Sequence, residues 1–109
     1  MRIINNRRER LFNRGTRKIY HLVMPDNGLK KAGIHQGDEL WATPREYYRD
    51  GEIVAVRVGN QTYVRRLFNA EKYLFLEAEI PGPLRLSIER NAPGVHLLGS
   101  ITRVLPATA

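Results

Sequence analysis

Nucleophilic chemistry on a peptide or ester needs a hydroxyl or thiol beside a base that can take its proton. This 109-residue chain has no cysteine, so disulfides and thiolate metal sites are excluded. Its two serines, Ser87 and Ser100, each sit inside a run that reads as a strand. Lysine becomes a base when an apolar setting strips its water and lowers its pKa. The four lysines are Lys18, Lys30, Lys31 and Lys72, and none falls in the same predicted strand as a serine. His21, His35 and His96 are scattered at spacings no metal site uses, so no metal and no cofactor are expected. His35 beside Asp38 reads as turn polarity. Asp38, Asp50 and Glu52 carry the acid that general acid–base work would need, and a structural role in turns is the expectation for them.

Phosphate binding is the other chemistry on offer. The formal net charge is +7, which directs attention to anionic partners but says nothing about fold. The first 18 residues hold Arg7, Arg8, Arg10, Arg14, Arg17 and Lys18, among other bases, against the single acid Glu9. They read as a basic arm. Either the arm contacts nucleic-acid phosphates or it is a solvated leader that packs on a partner chain. Trp41, Tyr47, Tyr48 and Tyr63 are interleaved with Arg45, Arg49, Arg57, Arg65 and Arg66. That mixture makes a stacking and phosphate surface, or else the aromatics close a small core.

The elements that must position these groups are β elements. KIYHLVM (18–24) is a β-favouring run that stops at Pro25. PDNG (25–28) is a turn, and LKKAG (29–33) makes one helical turn closed by Gly33. Strands are predicted in HQGDELWA (35–42), EIVAVRV (52–58), TYVRRLF (62–68), YLFLEAE (73–79), LRLSIE (84–89) and VHLLGSITRVL (95–105), the last with Gly99 where a bulge fits. TPREYYRDG, GNQ, NAEK, IPGP and NAPG punctuate them. No pair of amphipathic helices offers a helix-turn-helix, and there are no internal repeats. The length allows one domain, here an arm over 1–18 and an all-β, coiled β-barrel-like unit over 19–109. No apolar run approaches a membrane span or a signal peptide, so a cytoplasmic protein without a membrane partner is expected.

Four stretches carry a family resemblance: KAGIHQGDEL (31–40), DGEIVAVRVGNQTYVRRL (50–67), YLFLEAEIPGPLRL (73–86) and HLLGSITRVL (96–105). Together they resemble the C-terminal peptidase-like domain of LexA, UmuD and lambda-type repressors, over about residues 19–105. The resemblance implies a serine nucleophile and a lysine base on the hairpin strand. Laid on this chain, the serine falls on Gly28 and the lysine on Arg65, or on Arg66 with a one-residue shift. Glycine has no nucleophile, and arginine stays protonated under ordinary conditions. Thr62 has no lysine partner. The only glycine upstream, Gly15 after Arg14, is too close to Gly28 for a cleavage loop to fold back. A degenerate peptidase without catalytic residues is the expectation.

The resemblance also implies a homodimer. The last strand, with Leu97, Leu98, Ile101, Val104 and Leu105, is the expected interface, on the reasoning that an unpaired edge needs covering. The expected function is a non-catalytic dimerisation and regulatory module in transcription or the DNA-damage response, with DNA, a DNA-binding protein or a polymerase as partner. The alternatives are a nucleic-acid-binding β domain that uses its arm and arginine face, and an active serine peptidase whose dyad lies elsewhere.

Overall fold

The computed structural model describes residues 18–79 and 84–107. Arg7, Arg8, Arg10, Arg14 and Arg17 of the basic arm lie outside the described residues; Lys18 is exposed. The described chain is all-β, as the alternation of apolar and polar residues predicts. Seven strands follow in order: β1 (Tyr20–Val23), β2 (Glu39–Thr43), β3 (Ile53–Val58), β4 (Gln61–Ala70), β5 (Tyr73–Ala78), β6 (Leu84–Glu89) and β7 (Val95–Leu105). One 3₁₀ turn, Lys30–Ala32, interrupts them. Among the described residues no helix is long and apolar enough to cross a membrane.

All seven strands form one antiparallel sheet in the order β1-β2-β7-β3-β4-β5-β6. β3 to β6 are consecutive hairpins. The β3–β4 turn is two residues long, with Val58 paired to Gln61 and Gly59 supplying the positive φ that such turns need. β4 runs two residues past its predicted end. Asn69 pairs with Leu74 on one side, and on the other its N–H donates to Asp50 Oδ1 (2.7 Å) where β3 has not yet begun.

The sheet is buried on both faces, because alternate residues of a strand point to opposite sides. Ala55 joins one core cluster with Met24, Leu29, Ile34, Leu40, Ala42, Val64 and Leu98. Its neighbours Val54 and Val56 join a second, with Leu67, Leu74 and Leu76. The Met24–Asp38 connection covers the first, and Tyr48 of the β2–β3 connection packs on the second.

The last strand does not have the unpaired edge expected of it. β7 lies between β2 and β3 and is hydrogen-bonded to both. Leu98 is in the chain's own core, while Leu97 and Ile101 pack against the two clusters. Of the expected interface set, Val104 (37% exposed) and Leu105 (44%) remain on the surface. The edges belong to β1 and β6. β7 spans both neighbours by means of two register irregularities, between Ala55 and Val56 on one side and between Trp41 and Ala42 on the other. Gly99 sits beside the first with φ 151°, packed against the Thr43 backbone.

Candidate functional site

The connection from β1 to β2 is held by its own polar groups. Pro25 ends the strand, and the Asp26 carboxylate then accepts from the Gly28 N–H through Oδ1 (2.9 Å), an Asx turn. Asn27 accepts from the Lys30 N–H through its carbonyl (3.2 Å) and from the Gln36 N–H through Oδ1 (2.9 Å). Leu29 is fully buried and anchors the 3₁₀ turn, which Gly33 closes in a left-handed conformation, φ 87°. At the far end Asp38 accepts from the His35 N–H (2.8 Å) and from the Ala107 N–H (3.0 Å), so one carboxylate ties the loop to the end of the chain. Those two backbone donors hold its pKa below the ordinary carboxylate value.

This anchored loop presents Gly28 to β4, and the residue it meets is Arg65. A Cβ at position 28 would stand 2.8 Å from Arg65 Nη1 and 3.0 Å from Cζ. The two positions singled out by the family pattern, 37 residues apart in sequence, are therefore in contact. Arg65 and not Arg66 is the residue that touches Gly28. Arg66 instead donates through Nε to Glu79 Oε2 (2.7 Å) and through Nη1 to the Gly51 carbonyl (2.8 Å).

Arg65 is fixed by a bidentate pair: Nη1 donates to Asp26 Oδ1 (3.0 Å) and Nη2 to Asp26 Oδ2 (2.9 Å). Nη1 also donates to the Val64 carbonyl (2.8 Å). Fork-to-fork geometry of this kind is the strongest that arginine makes with a carboxylate. The Arg65 side chain is 12% exposed and that of Asp26 40%. Hydrogen bonding from Arg65 lowers the Asp26 pKa against the opposing effect of burial, so this carboxylate stays charged at neutral pH. The Gly28 carbonyl is also taken: it accepts from the Glu79 N–H at 2.6 Å, just beyond β5. These atoms can hold and orient a carboxylate. They contain no hydroxyl to attack and no amine that can give up a proton.

Other residues read as chemically capable are dispersed. The Ser100 Oγ accepts from Arg45 Nε (3.3 Å), and Ser87 lies on β6 opposite Phe75. Asp38, Asp50 and Glu52 share no partner: Asp50 binds Asn69, which lowers its pKa, and Glu52 Oε1 accepts from the Arg49 N–H (3.1 Å). Among the described residues no group of histidines and acids could hold a metal. The aromatic residues do not form one surface. Trp41 lies beside His21 (centroids 4.7 Å apart, planes tilted by 40°) and under the Arg103 guanidinium (4.6 Å), a row across β1, β2 and β7. Tyr63 lies 5.7 Å from the Arg65 guanidinium, and Tyr47 projects into solvent at 83% exposure. Sequence reasoning passed over Asp26, which reads as an ordinary turn residue. A carboxylate two residues before a position that faces a buried arginine was the available signal.

Residues 7–99 match a family model described as Peptidase S24-like. Among curated proteins no relative matches the chain.

Proposed function

As the chain belongs to the Peptidase S24-like family, we propose that it is a non-proteolytic member, a LexA- and UmuD-related regulatory module that self-associates and acts in transcription or the response to DNA damage. One observation carries this reading: Gly28 and Arg65, the positions that should hold nucleophile and base, lie side by side with the Asp26 carboxylate closing on the guanidinium. Cleavage of a peptide bond needs an oxygen to attack the carbonyl and a neutral nitrogen to take its proton. Glycine supplies no oxygen. Arginine stays protonated under ordinary conditions and cannot act as the base. Self-association draws support from the apolar Val104 and Leu105, exposed at the end of β7.

The test is incubation of the full chain, alone and with an unstructured protein substrate, at neutral and alkaline pH, followed by mass spectrometry. The expected result is that both remain intact at every pH. Cleavage that is abolished by substituting Ser87, Ser100 or Thr62 would place a working dyad elsewhere and overturn the reading. Light scattering of the same sample should give twice the chain mass, and Val104→Asp with Leu105→Asp should halve it.

A second reading, direct nucleic-acid binding, is favoured by the surface row of His21, Trp41 and Arg103, which offers a ring and a cation of the kind that bases and phosphates engage. It makes the basic arm the principal phosphate contact.

A further inference from the structure

The second core cluster has a cleft over it. The segment after β2 crosses that face and is pinned by Tyr48, whose hydroxyl accepts from the Arg45 N–H (3.1 Å) and whose carbonyl accepts from Asn69 Nδ2 (3.0 Å). Beneath it lies a space of about 510 Å³, within the range of small-ligand sites. Of its apolar lining, Leu67 and Leu74 are core residues, 0% and 3% exposed, and Leu97 is half-buried; Arg45, Arg90 and the exposed Tyr47 also line it.

Arg65, Arg66 and Arg85 are each paired with a carboxylate. Arg45 and Arg90, like Arg49, Arg57 and Arg103, belong to none of these ion pairs, but these two line the cleft. Arg45 is oriented by the Ser100 hydroxyl, and Arg90 by the Glu71 carbonyl (2.7 Å) and by Asn69 Oδ1 (3.0 Å). Neutral oxygens fix the direction of a guanidinium without cancelling its charge, and each retains N–H groups for a further acceptor. Glu46, also on the wall, has an interaction of its own. Two oriented cations, the half-buried Leu97 and a solvent-facing phenol ring complement an anion attached to a flat apolar body.

We propose that this cleft binds a small phosphorylated ligand carrying a planar ring, of mononucleotide size. Arg45 and Arg90 hold the phosphate, and the ring packs against Leu97 and Tyr47. The site is separate from the Gly28–Arg65 contact and does not depend on whether the chain cleaves peptides.

The experiment is calorimetric titration of the full chain with adenosine 5′-monophosphate, and separately with adenosine and with inorganic phosphate. The nucleotide should saturate one site per chain, with each half binding at least about tenfold more weakly. Arg45→Gln and Arg90→Gln should each weaken it about tenfold, the loss of a charge-assisted hydrogen bond. Arg57→Gln, on β3 outside the cleft, should leave it unchanged. Circular dichroism checks the fold. Should Arg90→Gln disturb the β4–β5 turn, Tyr47→Ala replaces it as the probe. That exposed residue can be removed without touching the core, and its loss should weaken the nucleotide while leaving phosphate binding as it was. Failure to saturate at about 10 mM nucleotide overturns the proposal. So does nucleotide affinity that ignores Arg45→Gln and Tyr47→Ala alike. Binding that strengthens with oligonucleotide length would assign the surface to a polymer instead.

Discussion

At position 28 the absence of a side chain is a matter of space, not of backbone conformation. Gly28 does not have the positive φ found at Gly33, Gly37 or Gly99. What excludes a Cβ there is the Arg65 guanidinium at 2.8 Å, itself fixed by Asp26. The two positions are therefore coupled: the glycine makes room for the arginine, and the arginine fills the room. A coupling of this kind shows as non-additivity. Gly28→Ala should cost about 1–3 kcal/mol of stability, because the guanidinium must leave its bidentate geometry or the loop must shift. In an Arg65→Met background the same substitution should cost at least about 1 kcal/mol less, since a thioether chain bends away. Urea unfolding of the four chains measures the cycle. Equal costs in both backgrounds would mean that the contact does not constrain position 28. The same coupling bears on whether a serine and a lysine placed at these two positions could act together. With Asp26 in place, a lysine introduced at position 65 would gain a carboxylate partner and be held protonated, so Gly28→Ser with Arg65→Lys should remain inactive until Asp26 is also replaced.

Among the elements, β7 does the most to organise the sheet, and its bulge depends on Gly99. A Cβ there would lie 2.5–2.7 Å from the C, N and O atoms of Thr43, all backbone, and φ is 151°. Neither strain can be relieved by turning a side chain. Gly99→Ala should therefore destabilise the chain by at least about 3 kcal/mol, well beyond a typical surface substitution. Thermal unfolding followed at a β-sheet signal checks it, and a loss below about 1 kcal/mol would mean that β2 and β7 can part without consequence. The strands themselves were legible in the sequence. LRLSIE alternates, EIVAVRV is uniformly apolar at its centre, and glycine, proline and asparagine mark nearly every turn. The consecutive hairpins from β3 to β6 follow from those turns. The place of β7 does not, because local alternation is the same for an edge strand and an inner one. Its insertion between β2 and β3 pairs residues 37 to 66 apart, from Val58 with Val95 to Glu39 with Leu105, paid for only when the whole sheet assembles. Adjacent Leu97 and Leu98, needing cover on opposite faces, were the hint that this strand is interior. The Gly28–Arg65 contact became visible through the motifs on either side of it, while Asp26, with no motif of its own, did not.

On the scale of the whole molecule, charge is distributed unevenly. Residues 1–18 hold seven of the eighteen basic residues and one of the eleven acidic ones, so the rest of the chain is close to neutral, at a net +1. Within the sheet, three arginines are already matched by Asp26, Glu79 and Glu77. Long-range attraction to a polyanion must then come from the first 18 residues, whatever the β domain adds at short range. If the chain binds DNA directly, affinity should fall steeply with salt, with log K against log salt sloping by about −0.9 for each phosphate neutralised. Deleting residues 1–18 should flatten that slope by about 5 and reduce binding at low salt to near nothing. Gel shifts over a series of salt concentrations, with the full and shortened chains side by side, read both quantities. A shortened chain that keeps the slope would transfer the phosphate contacts to the exposed arginines of the sheet, Arg103 beside Trp41 first among them. A full chain with no shift even at low salt would remove nucleic acid as a direct ligand, and the net charge would then be a property of how this module meets a partner protein.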